Sequence, residues 1–147
     1  MADLHIEDFY RDVAGILLSL YGSFPRPTTL FVVDLIGEHE PDPFGVPAPR
    51  HTACFSAMLW LAEEGFLRHT GSIRQEGLDQ CCLSERGFVL LSTPRLDWQQ
   101  PELPASVAHQ RATLAQKLRE ALHSGSSSQL AEAVRYCFKS GSTYDLK

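Results

Sequence analysis

The 147-residue chain reads as a mostly helical α+β fold. Three observations lead there. Residues 3–21 place apolar side chains at helical spacing along one stripe. Residues 50–92 pass from a helical period into two short extended runs and back to a helical turn. Beyond residue 105 the helical period returns in two segments parted by Gly125.

Taken in order, the first helix is predicted over residues 3–21. Ile6, Phe9, Tyr10, Val13, Ile16, Leu17, Leu20 and Tyr21 form its apolar side, with Glu7, Asp8, Arg11 and Asp12 opposite. Asp3 is placed to cap its start and Gly22 to stop it. Phe24-Pro25-Arg26-Pro27 is a link. Thr28 or Thr29 would then cap a second helix ending at Gly37, although this short, β-branched run also fits a buried strand. Residues 38–49, EHEPDPFGVPAP, hold four prolines and a glycine, which excludes regular structure. The expectation there is a surface loop with Phe44 tucked against the core; the alternative is an arm that contacts a partner or a ligand.

A helix over residues 52–64 follows, turning Cys54, Ala57, Met58 and Leu61 inward and ending at Gly65. Residues 66–69 and 78–83 are extended runs joined by a polar stretch with Gly71 and Gly77 near its ends, as in a hairpin with a long tip. Ser84-Glu85-Arg86-Gly87 opens a short helical turn, Phe88 to Leu91. Residues 93–104 are a proline-punctuated linker anchored by Trp98. Residues 105–123 read as one helix, and Ser126 with Gln129 starts another that reaches about Phe138 and frays from Gly141.

The segment from Arg50 to Ser92 resembles the winged helix-turn-helix, and within it the bacterial MarR- and PadR-type regulators. Leu61, Gly65, Phe66 and Leu67 match the pattern that leads into the wing of those proteins, and Leu83, Ser84 and Gly87 match the one that leaves it. The resemblance covers some forty residues. It implies a winged-helix domain over residues 1–93 with a two-stranded wing, a linker at 94–104, and a C-terminal helical pair at 105–147 that builds a homodimer. It also implies a transcription regulator that binds double-stranded DNA with the helix at 52–64 in the major groove.

On that reading the DNA-facing residues are Arg50, His51, Thr52 and Ser56 at the start of the helix, and Arg68, His69 and Arg74 on the wing. Charge weighs against it. The net charge is −5, and residues 1–49 carry two basic and eight acidic groups, while residues 50–93 carry four and five. The alternative is a winged helix used for protein–protein contact. Phe44, Phe55 and Trp60 are then the contact residues, because Phe55, Leu59 and Trp60 cannot all be buried on a helix whose other side already supplies the core.

No apolar run is long enough to span a bilayer and the N-terminal stretch is acidic, so a cytoplasmic protein is expected. Cys54, Cys81, Cys82 and Cys137 show no Cys-x-x-Cys pair, and the six histidines have no ligand spacing. Reduced structural thiols are expected, with one of Cys81 and Cys82 turned outward, and no metal or cofactor. No nucleophile with a base, paired carboxylates or phosphate-cradling loop is recognisable, so no enzyme is expected.

Overall fold

Residues 3–145 are described in the computed structural model, with side-chain surroundings for residues 3–140. The architecture is α+β: seven helices and a small antiparallel sheet. The first helix, α1 (Leu4–Ser23), buries Val13, Ala14, Ile16, Leu17 and Leu20 completely. Asp3 precedes it without a side-chain capping bond, and the helix runs through Gly22. It stops two residues before Pro25, whose ring forces Phe24 into extended backbone (ψ 138°).

The second predicted helix begins later than its sequence suggests. Thr28–Phe31 is a strand, β1, and only Val32–Ile36 is helical, as α2. The β-branched start of this run has a partner that local propensity could not reveal: Thr28 pairs with Cys81, Leu30 with Leu78 and Phe31 with Gly77. Residues 38–48 contain no helix or strand, as expected. Helix α3 (Pro49–Glu63) then starts three residues before the predicted one, with Pro49 at its first position. Cys54, Phe55, Ala57, Met58 and Leu61 are buried, and Gly65 closes the helix in the left-handed conformation (φ 85°).

Three strands follow where two were expected: β2 (Leu67–Arg68), β3 (Gly71–Ile73) and β4 (Gly77–Leu83). β4 pairs with β1 along one side and with β2 and β3 along the other. The polar stretch read as a long tip therefore contributes β3, and the tip shrinks to a tight turn. Its central residues, Arg74 and Gln75, both take positive φ (47° and 61°), the hairpin geometry that matches strand twist but that glycine and asparagine adopt more cheaply. Cys81 is buried in the core and Cys82 against the Pro25 segment, so the expected outward cysteine is absent. Cys82 Sγ donates to the Pro25 carbonyl at 3.4 Å.

Helix α4 (Glu85–Ser92) starts as read: Ser84 Oγ accepts from the Gly87 amide at 3.1 Å and donates to the Gly65 carbonyl at 2.6 Å. The linker holds a single 3-10 turn, Leu96–Trp98. The predicted 105–123 helix is two helices, α5 (Ala105–Arg111) and α6 (Leu114–Ser124). Buried Thr113 breaks it by capping the amide of Gln116 at 3.2 Å. Ser126 Oγ caps Gln129 at 3.3 Å, and α7 (Ser127–Asp145) continues past Phe138.

Leu114, Leu118, Ala121, Leu130, Val134 and Cys137 join the same core as α1 and α3. Both α6 and α7 pack on α1 and α4 of their own chain. The apolar sides of α6 and of the described part of α7 are thus covered within the chain. The core also explains Gly87: a Cβ there would strike the Phe66 carbonyl, a backbone atom unable to yield. Gly87→Ala should cost about 3 kcal/mol, as overpacking does in a close-packed interior, read as a drop in the urea midpoint. An unchanged midpoint would show that α4 can move away from Phe66.

Candidate interaction face at the start of the long helix

Arg50 occupies the first turn of α3, where a DNA-reading helix would offer a cation, but its charge is already committed. Nη1 and Nη2 donate to the two carboxylate oxygens of Asp12 at 2.7 and 2.5 Å, and Nε lies 3.8 Å from Asp8. Asp12 was placed on the polar side of α1 by its neighbours; instead its side chain is 2% exposed. Four residues from Ile16 and three from Phe9, it sits along the edge of the apolar stripe. A buried carboxylate needs a full set of donors, and the guanidinium fork supplies two. The hydrogen bond to Asp12 is the main cause that lifts the Arg50 pKa further above its ordinary value.

His51 is the next residue, and its Nε2 donates to the Gln75 carbonyl at 2.9 Å. This bond ties the start of α3 to the strained hairpin turn. His51 and Arg74 line one cleft of about 410 Å³ with Glu38, Glu40, Glu76 and His39. Thr52 and Ser56 are exposed on α3. Arg68 is exposed and His69 half-buried, its Nδ1 without a hydrogen-bond partner, but both follow the other end of α3. A helix of 15 residues is about 22 Å long. The predicted contacts therefore separate: His51, Thr52 and Arg74 lie by the hairpin tip, Ser56 at the middle of α3, and Arg68 and His69 by the hairpin base. Arg50 belongs to none of these.

The three aromatic candidates also separate. Phe55 is 9% exposed and part of the core, so it is no surface contact. Trp60 is 37% exposed and packs edge-on against Phe9 and Phe138, with centroids 5.4 and 5.1 Å away. The outward side of α3 is thus covered in part by α1 and α7. Phe44, expected against the core, is 90% exposed.

The loop that carries Phe44 is held rigidly. Asp42 Oδ1 accepts from the amides of Phe44 and Val46 at 2.8 and 2.9 Å. The Asp42 amide donates to the Val46 carbonyl, and the Gly45 amide to the Asp42 carbonyl, both at 2.9 Å. Flanked by Pro41, Pro43 and Pro47, this ring displays Phe44 and Val46 (55% exposed) to solvent. Val46 and Asp12 are the residues that sequence reasoning missed. The signal for Asp12 was its spacing from Phe9 and Ile16; for Val46, the Asp42-Pro-Phe-Gly turn signature.

Among the described residues no group of histidine, cysteine, aspartate or glutamate is arranged to hold a metal ion, and no helix is long and apolar enough to cross a membrane. Comparison with protein-family models, curated proteins and solved structures finds no match for this chain.

Two measurements follow from the geometry. Asp12→Ala strands Arg50 and should cost about 3 kcal/mol, the low end for breaking a buried pair, since Arg50 is partly solvated. Adding Arg50→Ala should cost little more, and additive losses in that cycle would show the pair to be uncoupled. Burial also pushes the Cys54, Cys81 and Cys137 thiols from an ordinary 9.0 up to about 12. With folded values raised, these groups favour the folded chain below about pH 9, and that contribution is lost as pH climbs toward 12. At pH 8 an aromatic disulfide reagent should label no cysteine in the native protein and all four in denaturant. Rapid native labelling would show an open core.

Proposed function

We propose that this chain is a winged-helix module that binds another protein through the face made by the 38–48 loop, the start of α3 and the hairpin tip. The observation that carries the reading is the pinned loop, which holds Phe44 90% exposed among Glu38, Glu40 and Asp42. Ordering an arm in advance lowers the entropy cost of association, and an exposed aromatic on such an arm is a good anchor. The winged-helix part is supported by the element order. A helix, an edge strand, a short helix, a long helix and a hairpin follow one another, with β1 laid against the second hairpin strand. Four buried free thiols support a cytoplasmic setting.

Electrostatics favours a protein over a duplex. Residues 28–83 carry three arginines and eight carboxylates, and one arginine, Arg50, is neutralised by Asp12. Phosphate binding needs a local basic face. A second reading, a DNA-binding transcriptional regulator of MarR/PadR type, is favoured by exposed Thr52, Ser56, Arg68 and Arg74 on elements that would meet a groove.

Fluorescence anisotropy on a mixed-sequence duplex separates the two. The protein-binding reading expects affinity weaker than about 10⁻⁴ M at physiological salt, below the usual range of even non-specific binders. Tight binding that falls steeply with salt and is lost in Arg68→Ala/Arg74→Ala would overturn it in favour of DNA.

A further inference from the structure

The pinned loop has a complement elsewhere on the same chain. A groove of about 540 Å³ opens between the end of α1, the end of α4 and the α5–α6 junction. Tyr21, Pro94, His109, Arg111, Gln116 and Arg119 form its working surface, and no carboxylate lines it. Neither Arg111 nor Arg119 pairs with an acid among the described residues. Arg119 lies over the Tyr21 ring at 6.0 Å and donates to Gln116 Oε1 at 3.1 Å, so the wall is aromatic as well as cationic. The volume falls within the range of about 300–1,000 Å³ usual for sites that swallow compact groups.

Loop and groove are opposite in sign. One offers a projecting phenyl ring on a segment that carries Glu38, Glu40 and Asp42, and these three carboxylates outnumber the one arginine, Arg74, that lines the cleft with Glu38 and Glu40. The other offers an aromatic floor ringed by Arg111, Arg119 and His109. They lie apart within one molecule. His39, at the root of the loop, shares a cleft with Asp8, Arg11 and Asp12 in the first half of α1, whereas Tyr21 lies near the end of that helix. Ten residues of helix separate Arg11 from Tyr21 by about 15 Å.

We infer that the partner of the Phe44 loop is a second copy of this chain, whose Tyr21–Arg111–Arg119 groove receives it. This rests on the reading of the loop as a protein-binding face and names its occupant. The contact pairs two different surfaces of the chain, which closes as a reciprocal two-fold dimer when both loops engage at once and runs head to tail into a ring or chain when each copy engages two neighbours. Phe44 docks against Tyr21 as aromatic pairs do, while the carboxylates approach the guanidinium groups through a screened, salt-sensitive attraction.

Sedimentation velocity over a concentration series tests this with two surface variants. Wild type should show mass that rises with concentration and falls when salt is raised. Phe44→Ser and Arg111→Glu/Arg119→Glu, whose altered residues are exposed, should each stay monomeric, with self-affinity at least about tenfold weaker, as expected when an anchor is removed. Mixed together, the two variants should form a 1:1 complex that grows no further, because one retains only a groove and the other only a loop. A wild type that remains monomeric throughout overturns the inference, as does association that persists in either variant alone or a mixture that forms no complex. None of these results bears on the duplex assay, which judges the underlying reading separately.

Discussion

The Asp12–Arg50 pair sets the geometry on which the rest of the molecule depends. A carboxylate buried in the side of α1 would be untenable without its guanidinium fork, and that fork reaches it only when the first turn of α3 lies across the first half of α1. With α3 fixed there, His51 falls within reach of the Gln75 carbonyl, and the hairpin tip is drawn back toward the helix start. The 38–48 loop bridges from Gly37 to Pro49, and the Asp42 hydrogen bonds within it hold Phe44 out in solvent. One ion pair thereby fixes the helix crossing, removes a cation from the front of α3, and shapes the surface that remains.

Aromatic packing completes the arrangement from the other side. Phe9, Trp60 and Phe138 meet with centroid distances between 5.1 and 6.2 Å, joining α1, α3 and α7. Phe24 stacks on Phe88 at 4.2 Å, and Trp98 and Tyr136 make a third contact that ties the linker to α7. These pairs explain why the C-terminal helices belong to the core. Their apolar stripes face α1 and α4 at close range, so each ring buried there contributes more than it could on an unpartnered surface.

Much of the fold was legible because it rests on local signals. The stripe of α1, the inward set on α3, the stop at Gly65, the caps at Ser84 and Ser126 and the irregular proline-rich loop all follow from spacing or backbone chemistry. The departures share a cause in long-range pairing. β1 forms because β4, some fifty residues away, offers an edge, and the β3 segment likewise owes its order to β4. The break at Thr113 reflects a buried hydroxyl that turns to cap α6. The face at the start of α3 was legible as a place but not as a chemistry. Its residues could be named from sequence, yet no spacing within α3 shows that Arg50 answers a carboxylate 38 residues earlier.

The sheet has a further consequence for the protein in crowded solution. β4, seven residues long, is hydrogen-bonded along both sides, while the strands that form the sheet's margins are two to four residues long. One margin is preceded by Pro27, and the other is interrupted between Arg68 and Gly71. Short, broken margins offer no continuous row of unpaired amides and carbonyls to template a further strand. The fold thus keeps its most aggregation-prone stretch, the apolar run through Cys81, Cys82 and Leu83, inside the sheet and away from neighbouring molecules.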